Sequence, residues 1–342
     1  MNSKLKVGIA GYGIVGKRRR EWIDRNQNFL TVAVCDRNKE QLANLSGNTA
    51  VYSDYVDMIN KEDLDVLFVA LTNDAAAHAT ELGLGKGMHV FCEKPPARSP
   101  EELCNIEKIL DASPNLKLKY GFNHRYHDSV KEALQIVQSG RLGKVLSMRG
   151  VYGKSVLVRF ANEWRSDRSV AGGGILLDQG IHMADLMRLF GGNIQEVKSF
   201  VSNSYWNFDV EDNAFALILF QSGVIGQLHS SATEWRHQFN LQINLTGGAL
   251  VLEGILSGTK SYGQEILRIF DSKTEAFGNP REERVNYLED NSWRDEINEF
   301  ADCIVNDRVI TTGSIADGRK TLELVYSIYK ADSSWASRYG IV

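Results

Sequence analysis

From residue 4 to residue 122, short β-branched and apolar runs alternate with longer stretches whose apolar positions recur at helical spacing. The runs at 7–10, 30–35, 66–71, 89–92 and 116–120 are almost wholly apolar, as expected of strands covered on both faces. Helices are predicted directly after Gly13, around 39–45, over 75–84, and from Ser99, where Pro100 takes the first helical position. This alternation predicts βαβ units and a doubly wound parallel sheet. After about Asn123 the texture changes. A helix over 129–138, stopped by Ser139-Gly140, leads into strand-like segments at 145–152, 196–203, 214–220, 224–232, 239–245 and 249–252. Gln221-Ser222-Gly223 and Thr246-Gly247-Gly248 read as tight hairpin connections, so this half is predicted as an α+β domain on a large, mostly antiparallel open sheet. Two helices, 293–305 and 314–335, close the chain, the second started by Ser314 and Asp317.

Composition agrees with two domains and narrows what they do. The chain has 342 residues, against roughly 150 per domain, and the change of texture divides it into 1–122 and 123–342, with the closing helices free to pack back on the first part. Thirty-nine Lys plus Arg against 43 Asp plus Glu give a net charge of −4 without a basic block, which argues against nucleic acid as a partner. Hydrophobic residues at 43% and charged residues at 24% are ordinary globular usage, so a sizeable core can be buried. The longest apolar runs, such as 214–220, fall well short of the ~20 residues that cross a bilayer, so no membrane partner is expected. The first residues lack an apolar signal segment, and a cytoplasmic location is expected. Cys35, Cys92, Cys104 and Cys303 form no C-x-x-C pair, so neither a disulfide framework nor a metal site is expected.

Gly11-Tyr12-Gly13-Ile14-Val15-Gly16 follows the first predicted strand and opens a helix, and Asp36 ends the next strand 20 residues after Gly16. Each position has a physical reason in a Rossmann dinucleotide site. The first glycine permits the turn, the second lets backbone approach a pyrophosphate, and the third lets helix and strand pack closely. The phosphates then sit at the helix N-terminus. A carboxylate at Asp36 accepts hydrogen bonds from the ribose hydroxyls and repels a 2′-phosphate, which favours NAD over NADP. Arg37, next to it, suits either stacking on adenine or attraction of a 2′-phosphate, so NADP remains a second reading. Lys17-Arg18-Arg19-Arg20 on the same helix reads as a solvated basic face.

Two more segments carry chemistry. Glu93-Lys94-Pro95 follows the fourth apolar run, at the carboxyl edge of the predicted parallel sheet, where such folds bind ligands. In the second half, Gly172-Gly173-Gly174 leads to Asp178, His182 and Asp185; Asp178 and His182 at i, i+4 share one face of a predicted helix. Oxidising an alcohol requires a base within reach of the hydroxyl proton as hydride leaves the same carbon, and His titrates near neutral pH. An ammonium at Lys94 can stabilise developing alkoxide charge.

Together with the glycine turn, these segments closely resemble the Gfo/Idh/MocA family, the glucose-fructose oxidoreductase and inositol dehydrogenase group. The likeness extends to Leu71-Thr72-Asn73, to Gly121-Phe122-Asn123-His124-Arg125 at the junction, and to Trp164-Arg165. It implies an NAD-binding Rossmann domain followed by an α+β substrate and oligomerisation domain. The implied activity is hydride transfer between nicotinamide and a hydroxyl or keto carbon of a sugar, sugar nucleotide or cyclitol. The implied catalytic set is Lys94, Asp178 and His182, in a cleft between the domains; whether Lys94 or His182 takes the proton first stays open, because the two are expected to titrate together. Around the cofactor it implies the glycine turn, Asp36, Arg37, Leu71, Thr72, Asn73, His78, Glu93, Lys94 and Asn123. His78 reads equally as a residue capping a turn.

For substrate, Arg125 and Arg165 offer forked donors to hydroxyls or phosphates. Tyr152, Trp164 and Trp235 line the pocket or pack the core. His124 and His127, at i, i+3, read equally as junction residues. The segments 152–165 and 228–236 are expected to shape specificity, with Lys154, Ser155, Arg159, Asn162, Glu163, His229, Ser230, Glu234, Arg236 and His237 as polar groups suited to a hydroxyl-rich ligand. Two further readings are a cofactor-retaining enzyme that recycles its redox equivalents on a sugar or glycoside, and a non-catalytic dinucleotide sensor. A homo-dimer or homo-tetramer through the second sheet is expected, since one face of an open sheet is apolar.

Overall fold

The computed structural model describes residues 4–43, 45, 49–158, 163–271, 278 and 280–341. They group into two compact units. One comprises Met1–Asn123, Ser169–Gly172 and Trp293–Leu322; the other comprises His124–Arg168, Gly173–Ser292 and Glu323–Val342. In the first, β1 (Leu5–Ala10), β2 (Phe29–Cys35), β3 (Ala50–Tyr52), β4 (Val66–Val69), β5 (His89–Glu93) and β6 (Leu118–Gly121) form a parallel sheet of order β3-β2-β1-β4-β5-β6. The order reverses between β1 and β4, the switch point at which doubly wound sheets open a crevice at their carboxyl edge. Its connections carry α1 (Ile14–Arg25), α2 (Tyr55–Lys61), α3 (Asn73–Gly85) and α4 (Cys104–Ala112).

The second unit starts with α5 (Asp128–Gln138) and is built on eight strands: β7 (Val145–Ser155), β8 (Ile194–Ser202), β9 (Asn213–Phe220), β10 (Ile225–Glu234), β11 (Gln238–Leu245), β12 (Gly248–Glu253), β13 (Glu265–Asp271) and β14 (Arg281–Tyr287). Their order is β14-β13-β12-β11-β7-β10-β9-β8, antiparallel except for the parallel pair β7–β10. Between β7 and β8 run α6 (Arg168–Ala171), the π-helical turn Leu176–Gly180 and α7 (Ile181–Gly191); α8 (Ser292–Val305), α9 (Ile315–Ala331) and α10 (Ser333–Tyr339) close the chain. Helix α7 lies close on the sheet because β7 has no side chain at Gly150, where a Cβ would stand 2.6 Å from the Met183 sulfur. On the opposite face Phe200, Phe215, Leu217, Ile225 and Gln227 are exposed.

Residues 293–322, which a division at 122/123 assigns to the second part, cluster with the first. Helix α8 gives Ile297, Phe300 and Ala301 to the core of β1, β2, β4 and β5, with the Phe300 ring edge-on to Phe68 at 5.9 Å and to Phe91 at 5.6 Å. Other elements also depart from the pattern reading. The helix expected at 39–45 is a short 3₁₀ turn, Lys39–Leu42, started by the Asn38 side chain accepting the Glu40 N–H. Ser99 heads its helix without a side-chain cap, and Glu102 instead accepts the Arg98 N–H at 2.9 Å. The helix expected over 314–335 breaks at Asp332, whose carboxylate accepts the Trp335 N–H at 3.0 Å and the Val201 N–H at 2.8 Å. Strands β3, β13 and β14 and helix α2 go unpredicted. β3 has three residues, β13 begins on the buried Glu265, and β14 is a charged edge strand without alternation.

Candidate active site

The glycine turn of the first unit has the shape its sequence requires. Gly11 adopts φ +91°, and a Cβ there would lie 2.2 Å from the Ala70 carbonyl oxygen; at Gly16 it would lie 1.9 Å from that of Gly11. At Gly13, the N-cap of α1, a Cβ would meet nothing within 4 Å. That open side and the N–H groups of the first turn of α1 suit a pyrophosphate. Asp36 at the end of β2 is pinned beside the turn, its Oδ2 accepting the Tyr12 N–H and its Oδ1 the Asn38 N–H, each at 2.8 Å. Ile14 is 84% exposed, and Arg37 is exposed.

After β4, Leu71 is half-buried, Thr72 takes the N-cap position of α3 without a side-chain cap, and Asn73 is buried. The Asn73 amide donates to the Ala171 carbonyl at 2.7 Å, a structural tie absent from the cofactor reading. His78 is exposed on α3, its Nδ1 2.8 Å from the Tyr55 hydroxyl, and Asn123 is buried. Glu93 ends β5 and half-buried Lys94 follows it, ahead of a cis bond to Pro95. Arg19 corrects one expectation. It is not on a solvated basic face but 1% exposed, because Glu93 and Glu296 neutralise it and the Phe91 and Trp293 rings cover it.

In the second unit the glycine triplet is tied down before Asp178. Buried Glu211 accepts the Gly174 N–H at 2.7 Å, the Leu176 N–H at 3.1 Å and the Tyr329 hydroxyl at 2.7 Å. Burial pushes the Glu211 carboxyl up, and the Tyr329 hydroxyl and the Gly174 N–H oppose the rise. A Cβ at Gly174 would lie 2.0 Å from the Glu211 carbonyl oxygen, so the chain enters the next turn at closest backbone approach. Asp178 and His182 are not on one regular α-helix. Asp178 lies in the π-helical turn and His182 in the first turn of α7, and such single π turns recur at functional sites.

His182 is 5% exposed and stacks face to face on His124, centroids 3.7 Å apart at 13°. The His124 Nε2 lies 3.2 Å from the Tyr152 hydroxyl. Tyr152 meets Tyr262 edge-on at 5.2 Å, and the Tyr262 hydroxyl donates to Gln179 Oε1 at 2.8 Å, next to Asp178. Burial raises both phenols well above their usual range, reinforced at Tyr152 first by Tyr262 and then by Asp178. Arg165 reaches Asp178 with its Nε 3.6 Å from Oδ2 and lies over its neighbour Trp164, 4.2 Å from the ring centre. Burial lowers the Lys154 ammonium, Asp178 opposing and Arg165 adding to the fall. His237 stands edge-on to Tyr262 at 4.8 Å and is likewise lowered by burial and by Lys154. Phenols, imidazoles and cations thus gather around Asp178 and His182.

Other residues singled out from the sequence have contacts or positions of their own. Arg125 forks onto buried Asp185, both contacts 2.7 Å. His127 holds Glu265 at 2.7 Å. His229 faces the exposed side of the sheet, stacked on Phe215 at 3.8 Å, and Trp235 is 74% exposed. Arg159, Asn162 and the Glu163 side chain lie outside the described residues. Gln179 and Tyr262 were not singled out from the sequence: the first is a neutral residue inside the glycine-triplet motif, and the second follows β12 in a segment with no periodic signal.

A parallel sheet with this glycine turn and acid, in a chain that also carries Asp178 and a buried imidazole at His182, is the pattern of an NAD-binding oxidoreductase of the Rossmann type. Residues 5–122 match the family model described as "Oxidoreductase family, NAD-binding Rossmann fold", and residues 130–251 match the GFO/IDH/MocA C-terminal domain. The chain belongs to the Gfo/Idh/MocA family. It is 30% identical over 278 residues to D-glucoside 3-dehydrogenase of Escherichia coli (strain K12), covering 72% of this chain and 76% of that protein. Levoglucosan dehydrogenase of Pseudarthrobacter phenanthrenivorans is 26% identical, over 72% of this chain and 73% of that one. A solved levoglucosan dehydrogenase in complex with NADH shares the fold with a TM-score of 0.84 at 21% identity, over 97% of this chain and 98% of that chain.

Proposed function

We propose that this oxidoreductase oxidises a secondary hydroxyl, or reduces the matching ketone, on a hydroxyl-rich ring: a sugar, sugar nucleotide or cyclitol. The observation that carries the reading is the cluster of Asp178, His182 and His124 with Lys154, Arg165 and Tyr262 around it. Relatives named for a glucoside, levoglucosan and inositol support the substrate class. NAD, when bound at the glycine turn and Asp36, supplies the hydride acceptor. His182 takes the hydroxyl proton as hydride leaves the carbon, so the alcohol loses one proton and one hydride and becomes a ketone. Lys94 donates a hydrogen bond to the reacting oxygen and stabilises its developing negative charge. Asp178 accepts from a neighbouring ring hydroxyl, and Arg165 offers donors to others. The His124 ring holds the His182 imidazole plane by stacking.

The test is a screen of sugars, UDP-sugars and inositols with NAD and NADP in parallel, read by NADH absorbance, on wild type, Lys94→Ala and His182→Ala. Turnover with NAD that both variants lose is expected. Near wild-type turnover by either variant sinks the role given to that residue, and activity with NADP alone sinks the role of Asp36. A product at the oxidation level of the substrate marks internal recycling; tight NAD binding without turnover marks a sensor. We further propose a homo-dimer or homo-tetramer through the second sheet, supported by Phe200, 81% exposed, beside exposed Phe215 and Leu217. A monomeric mass by light scattering would rule it out.

A further inference from the structure

The first unit holds a row of buried ionisable side chains at the carboxyl end of β5 that hydride transfer does not call on. Arg19 of α1 is clamped between two rings, its guanidinium 4.4 Å from the centre of Phe91 and 4.2 Å from that of Trp293. Its Nε donates to Glu93 Oε1 at 2.6 Å, and its Nη2 lies 2.8 Å from Glu296 Oε2 on α8. Beside it on β6, Lys119 is fully buried, with its Nζ donating to Glu299 at 3.0 Å and to the Thr312 carbonyl at 2.6 Å. Glu93 pairs in register with Gly121, where a Cβ would stand 2.9 Å from Glu93 Oε2 and 3.1 Å from Arg19 Nη2. The strand is therefore bare of side chain at the one point where the cluster needs room.

A buried ion cluster is weak evidence for stability. Removing a guanidinium and two carboxylates from water costs several kcal/mol per ion, and a well-packed apolar set of similar volume is often as stable or more so. What the cluster does supply is a charged partner for Glu93, whose next residue along the backbone is Lys94. We propose that Glu296 and Arg19 are positioning residues for Lys94: α8 anchors Arg19, Arg19 clamps Glu93, and the clamped end of β5 fixes the backbone from which Lys94 reaches the reacting oxygen. This rests on the reading of Lys94 given above. The groups facing Glu296 are Arg19 from α1, Glu93 from β5 and Lys119 from β6, with Glu299 on its own helix. Burial pushes the Glu296 carboxyl up to about 7, with Arg19 and Lys119 opposing and Glu93 adding to the rise. The anchor therefore changes charge within the working range of an enzyme at neutral pH.

The test uses the full chain, with folding checked by circular dichroism and turnover measured at high enzyme concentration. Glu296→Gln keeps the shape and removes the charge; we expect kcat to fall about tenfold, with KM for NAD within about twofold. The kcat–pH profile should change shape near neutrality, where Glu296 no longer titrates alongside the proposed base. The double variant Lys94→Ala/Glu296→Gln should be no slower than Lys94→Ala alone, because the relay acts only through Lys94. Unchanged kcat and pH profile in Glu296→Gln, or losses that add in the double variant, overturn the proposal. Should Glu296→Gln not fold, Arg19→Lys, which keeps the charge and loses the fork, is judged by the same measurements. Near wild-type turnover in Lys94→Ala would instead remove the reading beneath the proposal, and that single variant reports on it separately.

Discussion

The two sheets cover themselves differently. Every residue of β4 and β6 in the parallel sheet is buried, so its chemistry is confined to the carboxyl edge, where backbone turns emerge. The eight-stranded sheet buries alternate residues against α7 and leaves Phe200, Phe215 and Leu217 in solvent, so an apolar remainder faces outward while His124 and His182 stay buried. The difference is one of means. At the edge, glycines shape a site by what they lack; in the second unit, side chains brought from distant strands and loops build one by what they add. Buried carboxylates differ in the same way. Glu265 is opposed by burial, but hydrogen bonds and charge from His127, with Ser129, hold it below its usual range, whereas Glu296 is pushed up to about 7 despite Arg19.

The contrast breaks most visibly in activity. His182→Ala should lower kcat about 10²- to 10⁴-fold and leave NADH affinity intact, while Gly11→Ala, with a Cβ 2.2 Å from the Ala70 oxygen at φ +91°, should lose NADH binding. Fluorescence titration with NADH separates the two, and a loss of affinity in His182→Ala would blur the division of labour. Next in size is the core that α8 shares with the parallel sheet. Phe300→Ala should cost about 3–5 kcal/mol, read as a lower denaturant midpoint; a cost below about 1 kcal/mol would mean that α8 contributes little packing there.

The carboxylates offer a finer test. Glu265, held low, contributes stability that is present above its unfolded value of 4.5 and is lost as the pH falls below it. Glu296, raised to about 7, contributes stability that is full below 4.5 and is lost as the pH rises through about 7. Denaturant midpoints across pH should therefore lose their alkaline decline in Glu296→Gln and their acid decline in Glu265→Gln; the same pH curve in all three proteins would refute both assignments. The smallest effect concerns the exposed face, where Phe200→Ser should weaken self-association by about 1–2 kcal/mol without changing the thermal midpoint of the folded unit, read by sedimentation against protein concentration.

Patterning served the parallel sheet best, because strands buried on both faces are continuously apolar and the glycine turn is a local backbone constraint. It failed for β13, whose first residue is a charged side chain made acceptable by distant partners such as His127 and Ser129. It failed also at Arg19, read as part of a solvated basic face: a buried guanidinium that meets Glu93 and Glu296 looks, in sequence, like one in solvent.

By itself, then, the sequence determined the dinucleotide turn and the two kinds of sheet and put the candidates Asp178 and His182 in one short motif, since each depends on residues within a few positions of one another. Only the tertiary structure decided which charges are buried together, that His124 supports His182 and that Tyr262 joins them, and that α8 belongs with the cofactor sheet. Those outcomes depend on contacts between residues separated by tens to hundreds of positions, where desolvation and pairing, and not local propensity, set the energy.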